Sequence, residues 1–270
     1  MNDVLNDVLK TEESYYGISR QYGWSHYDKY SKIYNSSNED LWTLFANIDV
    51  KNKSVLSVLS SGNQALHCLN NGAKSVDVFD INKLTNYFFG LRLISLKYLG
   101  TSFLGFDDDF IKNVKKIVNN CSLDSDYENE ILDYWILILR KIPKKRFFDF
   151  MFRCGNYGNE IDDEKLLIDR VKDYKYTFYN FDLSDNVSEC KNKYDVLILS
   201  NIHDYVFPEQ MELFAENIYK LLNSGGYAIT TNFGLLDDNK RIILEKKFIV
   251  EDLPTDYFSR IPIGNKLIKS

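Results

Sequence analysis

Polar residues follow two apolar runs of the sequence, at a spacing that suits nucleoside binding. The run at 54–59 leads into the turn Ser60-Ser61-Gly62-Asn63, and the run at 75–79 leads into Asp80, 18 residues after Gly62. A turn of small residues lets a ligand approach the backbone, and a carboxylate in the second position can accept hydrogen bonds from both ribose hydroxyls. The alternative is that Gly62 is only a turn residue and Asp80 only a helix cap.

Another apolar run, at 194–199, precedes the densest group of polar residues in the chain. This loop contains Ser200, Asn201, His203, Asp204 and Tyr205. An imidazole can take a proton from an acceptor near neutral pH, a neighbouring carboxylate can orient it, and a tyrosine ring can contact a cation. We predict that His203, Asp204 and Tyr205 are catalytic residues. The alternative for His203 is a neutral, hydrogen-bonded loop histidine.

Alternating strands and helices must position these residues. Apolar runs predict strands at 54–59, 75–79, 176–181, 194–199 and 227–232, helices at 64–71, 82–99 and 208–222, and an antiparallel pair near 248–250 and 265–268. This alternation is typical of an α/β, Rossmann-like, doubly wound and mostly parallel sheet. We expect residues 101–173 to form a helical insertion. The polar residues above would then lie at the carboxyl ends of the strands, where such sheets bind ligands.

The glycine content of the turn restricts the ligand. A pyrophosphate needs the close backbone approach of a GxGxxG sequence, whereas this turn has one glycine, and no GxxxxGK[ST] sequence occurs. A ligand with a ribose and no phosphate fits better, and S-adenosylmethionine is such a ligand. We expect its adenine near Ile81 and near Asp182 and Leu183, which follow the third strand.

Composition excludes several classes of protein. The chain has 33 Lys and Arg against 39 Asp and Glu, a net charge of −6, which argues against general nucleic-acid binding. The apolar runs are far shorter than the roughly 20 residues of a membrane-spanning helix. Four scattered cysteines indicate reduced thiols, so we expect a cytoplasmic protein. Three widely spaced histidines and no CxxC pair indicate that the protein binds no metal.

Two further regions have alternative interpretations. Residues 1–50 are rich in tyrosine, which suits a lid over the ligand or, alternatively, amphipathic helices packed on the domain formed by 51–270. Basic and aromatic residues at 140–152 suit peripheral contact with an anionic lipid surface or, alternatively, a solvated helix face.

The order of these features resembles that of class I S-adenosylmethionine-dependent enzymes. Those enzymes have a glycine turn after the first strand, acids after the second and third, and a functional loop after the fourth. They commonly carry a Leu-Leu-x-x-Gly-Gly turn before the fifth strand, as in Leu221-Leu222-Asn223-Ser224-Gly225-Gly226 here. The resemblance implies a class I methyltransferase type of fold and S-adenosylmethionine as cofactor.

A narrower resemblance covers part of the same residues. The segment 55–66, with Ser60-Ser61-Gly62-Asn63-Gln64-Ala65-Leu66, is similar to the first motif of the S-adenosylmethionine:diacylglycerol 3-amino-3-carboxypropyltransferases, which begin betaine-lipid headgroup synthesis. Phe79-Asp80-Ile81-Asn82 resembles that family's second motif, and Asp204-Tyr205 resembles its Asp-Trp pair. Lys83 and Thr85 stand where the family has Pro and Gln.

These observations lead to one functional hypothesis and two alternatives. The first is transfer of the 3-amino-3-carboxypropyl group of S-adenosylmethionine to a small-molecule or lipid acceptor. Methyl transfer from the same cofactor is the second, and a non-catalytic protein that keeps the fold is the third. The predicted cofactor-binding residues are Ser60, Ser61, Gly62, Asn63, Asp80, Ile81, Asp182, Leu183, Ser200 and Asn201.

Overall fold

A computed structural model describes most of the chain after residue 32. The described residues are 33–34, 37, 39–102, 108–121, 123, 125–141, 152–153, 164–172, 174–231, 238–254 and 263–269. They belong to two compact units, one drawn from 37–59, 63–80 and 175–270, and the other from 1–36, 60–62 and 81–174. No helix in the described part of the chain is long and apolar enough to cross a membrane.

The first unit is built on a seven-stranded sheet of order β5-β3-β2-β6-β7-β9-β8. Its strands are β2 (Ser54–Val58), β3 (Ser75–Phe79), β5 (Phe178–Tyr179), β6 (Tyr194–Ser200), β7 (Leu222–Thr231), β8 (Phe248–Asp252) and β9 (Gly264–Lys269). The strands β5, β3, β2, β6 and β7 are parallel to one another. Strand β9 runs antiparallel to both β7 and β8. The sheet confirms the predicted Rossmann-like α/β fold. Its chain order reverses between β2 and β6, the position where such sheets bind ligands.

Apolar side chains bury the sheet. The first unit contains the helices α1 (Leu41–Ala46), α2 (Asn63–Asn70), α7 (Met211–Leu221) and α8 (Asp238–Glu245), and two 3-10 turns at Ile202–Tyr205 and Pro208–Gln210. Leu56 and Leu197 from the central strands pack in one fully buried cluster with Phe214 and Ile218 of α7. Burying a side chain of this size contributes about 1.5–3 kcal/mol, so this cluster stabilises the packing of α7 on the sheet.

The described residues of the second unit are mainly helical. The unit contains α3 (Lys83–Leu99), α4 (Asp108–Asn120), α5 (Asp126–Lys141) and α6 (Glu164–Val171), and a two-stranded parallel pair of β1 (Ile33–Tyr34) with β4 (Phe152–Arg153). Trp135 is fully buried at its centre and donates a 2.9 Å hydrogen bond from Nε1 to the carbonyl oxygen of Tyr87. Asn82 caps α3 by accepting from the backbone N–H of Leu84, and Gly100 ends that helix with φ +75°.

Three expectations need correction. The strand expected at 176–181 shrinks to Phe178–Tyr179, since only these two residues pair with β3. The turn expected at 223–226 lies within β7, where the register with β6 shifts and Gly225 has φ +72°. The insertion at 101–173 contains the short strand β4 besides its helices. Most of the aromatic stretch at 1–50 and of the basic stretch at 140–152 lies outside the described residues.

Candidate functional site

The turn after β2 has the backbone conformation that its composition predicts. Ser60 and Gly62 have φ +47° and +84°, in the left-handed region that favours glycine. A Cβ atom added at Gly62 would lie 2.5 Å from Cδ2 of Phe89 on α3. Because the ring of Phe89 fills that space, glycine is required here for packing as well as for backbone conformation. Ser61 is fully buried, and Ser60 is half-buried.

A buried arginine holds this turn from α3. Arg92 is 6% exposed and donates from Nη1 to the carbonyl oxygen of Ser61 over 2.6 Å, and from Nε to the carbonyl oxygen of Ser102 over 3.1 Å. Sequence reasoning did not select Arg92 as a site residue. A charged residue between Leu91 and Leu93, in an otherwise apolar part of a helix, was the available signal.

The end of β3 is fixed through its main chain. The N–H of Asp80 donates to the carbonyl oxygen of Tyr179 over 3.1 Å, and its own carbonyl oxygen accepts from Nδ2 of Asn180 over 2.8 Å. Asp80 is half-buried. The capping residue of α3 is Asn82, two positions after Asp80. Ile81, between them, is also half-buried.

The residues expected near adenine have strong local contacts. Oδ1 of Asp182 accepts from both the N–H and the hydroxyl of Ser184, at 2.8 and 2.7 Å, which makes a local Asx turn. Leu183 is 1% exposed and packs in the core of the sheet, and its carbonyl oxygen accepts from Nδ2 of Asn217. Asp182 is therefore the exposed residue of this pair, and the side chain of Leu183 is buried.

The loop after β6 combines buried and exposed side chains. His203 is 1% exposed, and its Nε2 lies 3.3 Å from Oδ1 of Asp204, which is exposed. Tyr205 is 42% exposed, and its hydroxyl lies 3.5 Å from Nδ2 of Asn201. The structure therefore brings together the three predicted catalytic residues. It places the imidazole, however, inside the protein, whereas Asp204 and Tyr205 face solvent.

The loop is also held at its start and in its middle. Ser200, with φ +55°, donates from its hydroxyl to Oε1 of Glu39. The carbonyl oxygen of His203 accepts a 2.6 Å hydrogen bond from Nζ of Lys240 on α8. Neither Glu39 nor Lys240 was predicted as a site residue, because the residues around each of them in the sequence do not distinguish it from a charged residue at the surface.

Helix α2 begins at the turn with two buried polar residues. Asn63 is 3% exposed and Gln64 is 1% exposed. Nε2 of Gln64 donates to Oε2 of Glu39 over 2.9 Å. Within the described ranges, no three His, Cys, Asp or Glu side chains are arranged to hold a metal ion.

The chain is similar to known proteins in structure but not in sequence. No protein-family model matches it, and no curated protein sequence matches it. An rRNA methylase from Streptococcus thermophilus is 11% identical with a TM-score of 0.41, over 85% of this chain and 94% of that one. The N-methyltransferase NodS of Bradyrhizobium japonicum WM9, solved with S-adenosyl-L-homocysteine, is 8% identical with a TM-score of 0.45, over 85% and 84%. A TehB-like S-adenosylmethionine-dependent methyltransferase from Corynebacterium glutamicum is 11% identical with a TM-score of 0.44, over 97% and 99%.

Proposed function

We propose that this protein binds S-adenosylmethionine and transfers a group from it to an acceptor. The observation that carries the proposal is the turn after β2. Its residues Ser60 and Gly62 have positive φ, and Asp80 directly follows the neighbouring parallel strand. In a sheet of this topology, both positions belong to the edge at which ligands bind.

Each predicted residue has a role in this proposal. The turn Ser60-Ser61-Gly62 and the first residue of α2, Asn63, contact the methionine part of the cofactor. Asp80 accepts hydrogen bonds from the ribose hydroxyls. The adenine lies near Ile81 and the loop after β5, where Asp182 offers a carboxylate and Leu183 offers its main chain. Ser200 and Asn201 contact the cofactor where the loop after β6 faces the sulfonium.

The residues of the loop after β6 suit a displacement at carbon. S-adenosylmethionine supplies an electrophilic carbon next to its sulfonium, so the protein must align a nucleophile and exclude water. The exposed carboxylate of Asp204 can hold an acceptor amine or hydroxyl, and the exposed ring of Tyr205 can contact a cation. The buried imidazole of His203 lies against Asp204 and is placed to receive a proton through it.

Two different groups of this cofactor can be transferred, and the nucleoside product shows which of them has moved. The motif resemblance of 55–66 supports 3-amino-3-carboxypropyl transfer, with a small molecule or lipid as acceptor. Methyl transfer uses the same donor and the same loop. Loss of the 3-amino-3-carboxypropyl group leaves 5′-methylthioadenosine, whereas loss of the methyl group leaves S-adenosylhomocysteine.

Mass spectrometry of the purified protein tests the proposal. The protein is incubated with S-adenosylmethionine and a metabolite or lipid extract, with the Asp80→Ala variant as matched control. We expect a nucleoside product from the native protein alone. Absence of both a product and measurable cofactor binding would overturn the proposal. Bound cofactor without either product would support the non-catalytic alternative.

A further inference from the structure

We propose that Glu39 is a positioning residue that orients the loop after β6 by holding Ser200. The functional part of this inference rests on the proposed function, because the loop carries the predicted catalytic residues. The contacts themselves are independent of any ligand. Glu39 precedes α1 and is 7% exposed.

The carboxylate of Glu39 joins three separate elements. Its Oε1 accepts from the hydroxyl of Ser200 at the end of β6 and from the hydroxyl of Thr231 at the end of β7. Its Oε2 accepts from Nε2 of Gln64 in the first turn of α2, over 2.9 Å. Because these partners lie at the carboxyl ends of two parallel strands and at the start of the helix that follows a third, one side chain fixes their relative positions.

Ser200 has a backbone conformation that needs such support. Its φ of +55° is uncommon for a residue with a Cβ atom, and the register between β6 and β7 shifts between Ile198 and Ser200. The chain leaves the sheet here and enters the 3-10 turn Ile202–Tyr205. A hydrogen bond from the Ser200 side chain therefore acts at the point that sets the direction of the whole loop.

The surroundings of Glu39 also supply a conservative variant. Oε1 of Gln64 is buried and has no hydrogen-bond partner among the described residues. In Glu39→Gln, the remaining oxygen can accept from both hydroxyls. A rotated Gln64 amide can then place Oε1 against the new amide group. Glu39→Gln therefore keeps the hydrogen bonds to Ser200, Thr231 and Gln64, whereas Glu39→Ala removes them.

Hydrogen exchange tests the positioning role without an acceptor. The probe is the exchange rate of the Asp204 and Val206 amides, which donate to carbonyl oxygens of the same loop. We expect at least tenfold faster exchange in Glu39→Ala and in Ser200→Ala, and rates within threefold of the native protein in Glu39→Gln. Thr231→Val, which keeps the Ser200 contact, should also stay within threefold. Core amides of β2 report whether each variant is folded.

The outcomes separate this inference from the proposed function. Calorimetric titration with S-adenosylmethionine accompanies the exchange measurement, and we expect at least tenfold weaker binding to Glu39→Ala with recovery in Glu39→Gln. Unchanged loop exchange in folded Glu39→Ala would overturn the inference, and so would equal effects of Thr231→Val and Ser200→Ala. If the native protein does not bind the cofactor but the exchange pattern holds, the proposed function fails and the role of Glu39 in ordering the loop stands.

Discussion

Nη1 of Arg92 donates a hydrogen bond to the carbonyl oxygen of Ser61, which lies 31 residues earlier in the chain. A buried cation thus contacts the backbone of the turn between β2 and α2. Hydrogen bonds from charged donors are stronger than those between neutral groups. The conformation of this turn therefore depends on a helix that follows the next strand, as well as on its own glycine.

Replacing Arg92 should destabilise the protein through the turn. In Arg92→Leu, the carbonyl oxygens of Ser61 and Ser102 lose a charged donor, and we expect the free energy of unfolding to fall by about 2–3 kcal/mol. Arg92→Lys keeps the charge and one donor group, so its loss should be smaller. Urea denaturation measures both. If the free energy of unfolding of Arg92→Leu equalled that of the native protein, these hydrogen bonds would contribute little to stability.

Two glycines with positive φ allow strain and steric overlap to be measured separately. Gly62→Ala forces a Cβ atom against Phe89. At Gly225, with φ +72°, no described atom beyond the two chain neighbours lies within 4 Å of an added Cβ. We expect Gly225→Ala to cost about 1 kcal/mol from backbone conformation alone, and Gly62→Ala to cost about 3 kcal/mol because overpacking is added. Thermal and urea denaturation give both values. Equal losses would mean that Phe89 moves away freely.

The carboxylate of Asp80 should contribute to ligand binding more than to folding. Asp80→Ala keeps the two main-chain hydrogen bonds of this residue, so we expect the variant to fold. We expect its affinity for S-adenosylmethionine to fall about 30-fold, or about 2 kcal/mol. Calorimetry measures this, with the exposed Asp185→Ala as control. Retained affinity in Asp80→Ala would remove Asp80 from the proposed site.

Asp195 should make stability depend on pH in the acid range. Burial raises the pKa of this carboxyl, but hydrogen bonds from Ser54 and Asn223 outweigh that effect, and the net pKa lies below its ordinary value of 3.8. Because the unfolded chain binds the proton more tightly, the stabilisation is complete above pH 3.8 and is lost as pH falls through the lower folded pKa.

Denaturation of Asp195→Asn at several pH values tests this dependence. The difference in unfolding free energy between native protein and variant should be largest near neutral pH and should shrink below pH 3.8. Glu189→Gln, at an exposed position, controls for loss of a surface carboxylate. A difference that grows as the solution is acidified would contradict the assigned direction of the pKa change.

The regular elements could be predicted because their signals are local. The apolar run at 54–59 became β2 (Ser54–Val58), and the strand at 75–79 was predicted with its observed bounds. The helix predicted at 82–99 became α3 (Lys83–Leu99), with Asn82 and Gly100 as its caps, and capping depends on residue type at one position. The third strand was overpredicted, because its length depends on pairing with a neighbour.

The groups that hold the candidate site could not be predicted, because their partners are distant in sequence. Glu39 meets Ser200 across 161 residues, and composition says nothing about such a pairing. The burial of His203 also depends on how the 3-10 turn packs. Residue type led to the prediction of a functional loop, but which of its side chains reach solvent is a property of the tertiary structure.

The position of β9 has a consequence for folding while the chain is being synthesised. Among the described strands, β8 pairs only with β9, and β9 alone connects it to β7. A ribosome makes β8 first, so β8 and the open edge of β7 must wait until residues 264–269 emerge. During that interval the nascent chain presents an unpaired strand edge, which is a template for aggregation. A chain that stopped before Gly264 would keep that edge permanently.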